Sequence, residues 1–311
     1  MLTAPAPDSS LLRWLGGINQ PGSGPLQITP SLMRKSLARM TETFVTDLPA
    51  IARVWDDQLA GPHRAISLRH YDPAPEAATP VALFIHGGGH MCGSVQIYDG
   101  ICRKLAAASG HLVVSVDYRL APEHPYPAAL EDCQAVIRQL WQHLDQHQIR
   151  YRPSLSLVGD SGGGALCATL AAQSQQDQSL PVRQQALIYP SLDYTLSSPS
   201  IDELANGYLL EKTRIQWYFD HYLQRGECRT TVSPLFMPVT PAHPPTGLIT
   251  AGFCPLRDEG RHYLDRLSSI GIATQHHSED TMIHAYLNLE NLVPQACERT
   301  YRWLSQFLNR D

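Results

Sequence analysis

Apolar residues gather in short runs rich in β-branched side chains at residues 81–85, 112–116, 155–158, 186–189, 247–250 and 272–275. Runs that are mostly apolar at successive positions, not only at alternate ones, predict strands buried on both faces of a sheet. The stretches between them carry helical spacing over residues 97–109, 128–147, 165–175 and 259–269, and a last helix is predicted over 292–308. Gly110 and Gly271 stand just past two of these stretches, where a glycine most often ends a helix. Strand and helix alternating in this way predict an α/β fold, a mostly parallel central sheet with helices on both faces. Before residue 81 the pattern is weak; residues 65–70 form the one candidate strand there, ahead of a proline-rich turn over 72–80.

Two segments break the alternation, residues 11–59 and 191–231, and both read as partly helical. The first carries Leu32, Leu37, Met40 and Phe44, and the second Tyr208, Ile215, Trp217, Tyr218, Phe219 and Tyr222. That is more aromatic surface than a linker needs. We therefore expect a single domain over 1–311 with a cap, from about 1–60 and 191–231, above the edge of the sheet where ligands enter α/β folds. The plainer alternative is that these helices only cover the sheet's edges.

With 43% hydrophobic residues in 311, the chain has the means to bury a full-sized core. Its formal net charge of -5, with 17% charged residues and no basic run, gives no electrostatic footprint for nucleic acid or an anionic membrane. No basic segment followed by an apolar stretch opens the chain, and no window is apolar enough to span a bilayer. Seven scattered cysteines without a C-x-x-C spacing argue against a disulfide framework or a zinc site and fit a reducing cytoplasm. The expected partner is a small molecule; a homodimer stays an open alternative.

The candidate chemistry lies at two glycine-rich turns. Gly159-Asp160-Ser161-Gly162-Gly163 matches G-x-S-x-G directly after the strand at 155–158 and before a helix of small residues. That context exposes a serine hydroxyl on a tight turn and aims a helix N-terminus at developing negative charge. His86-Gly87-Gly88-Gly89-His90 follows the strand at 81–85. Three glycines there allow backbone amides to point into a shared cavity, and a merely flexible turn is the poorer reading.

With these motifs the chain resembles the hormone-sensitive-lipase-like esterases of the α/β-hydrolase superfamily. Residues 116–123, Val-Asp-Tyr-Arg-Leu-Ala-Pro-Glu, are similar to the family's segment between the two turns, and the resemblance runs over about residues 81–284. It implies Ser161 as nucleophile, His284 as general base in Met282-Ile283-His284-Ala285-Tyr286, and an oxyanion hole drawn from Gly87, Gly88, Gly89 and Gly162. Chain order agrees, since nucleophile, acid and then histidine is this fold's sequence order; His276 and His277 are the fallback.

The pattern breaks at one residue. Where the family carries the aspartate of a D-P-L-x-D-E segment, this chain reads Cys254-Pro255-Leu256-Arg257-Asp258-Glu259. A neutral thiol is a weak acceptor and cannot stabilise imidazolium as a carboxylate does, a loss of about ten-thousandfold in kcat in other triad enzymes. Asp258 reaching back is the slightly favoured replacement, although four residues of helix amount to about 6 Å. Asp193, Asp280 or a working dyad are the alternatives. The resemblance implies hydrolysis of short-chain carboxylic esters through an acyl-enzyme, with no metal or organic cofactor. A non-catalytic small-molecule receptor on the same scaffold and an amidase or peptidase using the same residues are the rival readings.

Overall fold

The computed structural model describes residues 6–18 and 28–310, so the parts of the expected cap at residues 1–5 and 19–27 lie outside the described residues. Helices α1 (Ser9–Ile18) and α2 (Pro30–Phe44) come first. The strands β1 (Arg53–Ala60), β2 (Ala65–Asp72) and β3 (Thr79–Ile85) follow, then α3 (Asp99–Ser109), β4 (Leu112–Asp117), α4 (Ala128–Gln146), β5 (Tyr151–Asp160) and α5 (Ser161–Ser174). After β6 (Val182–Ile188) come the short helices α6 (Pro199–Glu203), α7 (Lys212–Tyr222) and α8 (Arg229–Val232), and the chain closes with β7 (Thr246–Phe253), α9 (Arg257–Ser269), β8 (Thr274–Ile283) and α10 (Pro294–Leu308).

Eight strands form one sheet in the order β1-β2-β4-β3-β5-β6-β7-β8. β1, β2 and β4 pair antiparallel, and every pair from β4 to β8 is parallel. Alternate side chains of each central strand enter opposite cores. Ala82, Phe84 and Val158 pack with α3, α10 and the helices above the sheet, while Leu83, Leu155 and Leu157 pack with α4, α5 and α9. Both faces are covered, which is why these strands read as largely apolar runs.

The N-terminal stretch is helical in part, at α1 and α2. Its last part is β1, an edge strand with only Leu59 buried and therefore almost no hydrophobic signal. Likewise α5 starts four residues before the predicted helix, at Ser161. Glycines are poor helix formers, but a Cβ on Gly163 would lie 1.9 Å from the Ile85 carbonyl oxygen, so only glycine fits this helix against β3. Among the described residues no helix is long and apolar enough to cross a membrane.

Candidate functional site

The C-terminal ends of β3, β5, β7 and β8 converge on one cavity. At the end of β5, Ser161 takes a left-handed conformation (φ 51°) and opens α5, a strained turn for a residue with a side chain. Its Oγ lies 2.9 Å from Nε2 of His284, which directly follows β8. On the other side of that imidazole, Nδ1 lies 3.1 Å from Sγ of Cys254, just past β7. Serine, histidine and cysteine are all buried.

Cys254 thus stands where the sequence pattern led us to expect a carboxylate. Its sulfur also accepts from the Leu256 amide at 3.4 Å. Burial pushes the thiol far above its ordinary range, and burial alone holds His284 down to about 3. The two groups therefore rest as a neutral pair, not as thiolate and imidazolium. With Nδ1–H donating to sulfur, Nε2 keeps its lone pair for the serine hydroxyl.

None of the candidate acids is brought to this histidine. Asp258 is taken up by the Arg257 guanidinium at 2.8 Å and the Ser200 amide at 3.1 Å. It heads α9, where the turn is not remodelled towards His284. Asp193 is saturated, Oδ1 by the Thr195 amide at 2.8 Å and hydroxyl at 2.5 Å, Oδ2 by the Ser197 amide at 2.9 Å and hydroxyl at 2.6 Å. Asp280 is exposed within β8, bonded to the Ser278 hydroxyl. His276 and His277 also lie within β8, where His276 bonds Thr250 at 2.9 Å and His277 bonds Glu279 at 2.9 Å.

The glycine loop divides in a way the sequence did not reveal. The Gly87 amide is spent, donating to Asp160 Oδ1 at 2.7 Å, so it is no candidate for an oxyanion hole. Among the described residues the amides of Gly88 and Gly89 donate to no protein acceptor, and both residues line the cavity with Gly162. Gly88 has φ 108°, open to glycine but not to other residues. Asp160 also accepts from Tyr98 at 3.1 Å, and burial pushes its carboxyl up to about 7 against the pull of these two bonds. Being the variable position of G-x-S-x-G, Asp160 gave no signal of this tie across 73 residues of sequence.

Flanking histidines lock the loop. His86 Nδ1 bonds the Gly87 carbonyl at 2.9 Å, while the Tyr118 hydroxyl donates to the His86 carbonyl at 2.7 Å. His90 stacks on Tyr222 with 3.8 Å between ring centroids. From α2, Arg34 donates to the carbonyls of Met91 and Ala121 at 2.9 Å and pairs with Glu123. The segment around Glu123 is itself held by Arg119, which donates through Nε to Asp132 at 3.0 Å. The cavity has a volume of about 150 Å³ and is roofed by Met33, Leu37 and Met40 of α2 and by Ile215, Tyr218 and Phe219 of α7.

The Ser161 turn, the histidine beside it and the sheet order together place the molecule in the class of α/β hydrolases. A family model described as alpha/beta hydrolase fold matches residues 70–288, and the chain belongs to that family. It is 36% identical over 262 residues to the esterase LipI of Mycobacterium tuberculosis, covering 81% of this chain and 80% of that protein. To the ethyl acetate hydrolase of Pseudomonas putida it is 32% identical over 240 residues, 75% of each chain. Among solved structures it superposes with TM-score 0.88 on an ester hydrolase from the metagenome of Lake Arreo, bound to a bipyridine phosphonate derivative, at 31% identity over 97% of this chain and 98% of the other.

Proposed function

We propose that this protein is a carboxylic ester hydrolase acting on short-chain acyl esters through an acyl-enzyme on Ser161. The observation that carries the reading is the 2.9 Å Ser161–His284 contact beside the unspent amides of Gly88 and Gly89. His284 Nε2 removes the hydroxyl proton as Oγ attacks the ester carbonyl. The oxyanion forms among the amides of Gly88, Gly89 and Gly162, the last free because the first turn of a helix leaves its N–H groups unpaired. Imidazolium then protonates the departing alcohol, and water repeats the sequence on the acyl-enzyme.

Cys254 orients the imidazole in this cycle without supplying charge. That favours esters over amides, because an amine leaves only once protonated, and imidazolium here forms without a carboxylate to support it. Residues 30–44 and 191–231 act as the cap, and the acyl group sits beneath them. A cavity near 150 Å³ suits a benzene-sized or short acyl group, in keeping with a relative that hydrolyses ethyl acetate. All seven cysteines are unpaired, which supports a cytoplasmic setting.

The test is covalent labelling. A p-nitrophenyl organophosphate should modify one residue per chain, Ser161, and stop turnover of p-nitrophenyl butyrate. Ser161→Ala should lose the label and lower kcat by about 10⁵ or more while the far-UV circular dichroism stays unchanged. Full activity in the alanine variant would sink the proposal.

A further inference from the structure

A second cluster lies away from the serine, where β1 runs beside α4. Gln139 and His143 on α4 and His147 at its C-cap follow one another at four-residue spacing and so lie along one side of the helix. That face meets β1: Gln139 donates to the Ala60 carbonyl at 2.8 Å, and both histidines approach Asp57. Asp57 Oδ2 lies 3.4 Å from His143 Nε2 and 3.2 Å from His147 Nε2, and the three atoms fall within 4.8 Å of one another.

We propose that Asp57, His143 and His147 form a binding site for a divalent transition-metal ion of the zinc class, fastening the edge strand β1 to α4. Ligands about 2.0–2.1 Å from a tetrahedral zinc lie about 3.3 Å apart, the separation seen on either side of Asp57. Hydrogen bonding does not account for the arrangement, since His143 Nε2 is buried and has no hydrogen-bond partner among the described residues.

The surroundings fix the donors. Asp57 Oδ1 is taken by the Gln58 amide at 2.7 Å, which leaves Oδ2 to point at the histidines. The His143 ring is held in a stack, Trp55 on His70 at 4.5 Å and His70 on His143 at 5.6 Å between centroids. The His147 side chain is 43% exposed, so solvent has access and water completes the coordination. Because α4 runs back from the C-terminal edge of the sheet, its last turn lies at the opposite edge from Ser161, and the metal serves stability, not turnover. β1 pairs on one side only, so a clip to α4 acts where the sheet is least supported.

Calorimetric titration of the chelator-treated full chain with zinc tests this. One zinc per chain is expected, with a rise of a few degrees in Tm. His147→Gln and Asp57→Asn, both at positions where the side chain is not deeply buried, should weaken binding by at least about tenfold and remove the Tm rise. Their zinc-free turnover of p-nitrophenyl butyrate should match the parent. Absence of saturable binding, or equal binding by both variants, would overturn the site. The readout is independent of the esterase proposal, since neither heat of binding nor Tm depends on Ser161.

Discussion

The two halves of the candidate site, one on β3 and β5 and the other on β7 and β8, are built on different terms. On the first, positioning and charge work together: Asp160 holds the Gly87 amide, two neighbouring amides stay unspent, and the start of α5 faces the cavity. On the second, position is kept and charge is gone. Cys254 reaches His284 Nδ1 at 3.1 Å, within range to set the ring's orientation, yet a buried neutral thiol lends almost nothing to imidazolium. Orientation and electrostatic support, joined in an aspartate, are here separated.

Restoring the missing charge is the sharpest way to break that contrast. Cys254→Asp should raise kcat on p-nitrophenyl butyrate by about 10² to 10⁴ with KM little changed, since the added carboxylate acts mainly on the transition state. Asp258→Asn, which removes a group bonded to Arg257 and Ser200, should leave kcat within about twofold. Steady-state kinetics on both variants decides the point: a flat Cys254→Asp with a large loss in Asp258→Asn would return the role to Asp258.

The intact half predicts a smaller change. Asp160→Ala frees the Gly87 amide and should lower kcat by about 10- to 100-fold through a misplaced loop, below the loss expected for a deleted oxyanion donor. Asp160→Asn, which keeps an acceptor for that amide, should recover most of it. Smaller again is the effect of the roof. Met33→Ala should move the preferred p-nitrophenyl ester towards longer chains by one or two carbons, changing ratios of kcat/KM by about tenfold. An unchanged profile across the ester series would make α2 a passive cover.

The same contrast runs through what the sequence made legible. The central strands stood out because burial on both faces leaves few polar positions, such as Ser115 and Ser156, to interrupt the run. β1 did not, and β8 stood out only at its start, residues 272–275, because they are the sheet's edges; the polar run Ser278-Glu279-Asp280 gives no sign that the strand continues to Ile283. Ser161 and His284 were readable from local motif and chain order, and the cysteine from its neighbours Pro255 and Leu256. Contacts made across long separations were not: the Asp160 tie to Gly87, the clamp of Arg34 on the loop, and Asp57 beside a histidine pair 86 and 90 residues further on. Each depends on which strands lie side by side, and residue spacing alone does not encode that.

A histidine braced by a neutral thiol leaves its mark on the pH dependence of kcat/KM, measured in the parent and in Cys254→Asp. Turnover needs the neutral imidazole, so activity is lost as pH falls through the His284 pKa. Burial with no facing carboxylate holds that value down to about 3, so the parent should keep its activity well below the ordinary histidine pKa of about 6.5. An aspartate at 254 favours imidazolium and should shift the acid limb upward by a unit or more. A parent acid limb at or above about 6.5 that does not move in Cys254→Asp would mean that a carboxylate already serves His284 and that the thiol is not its partner.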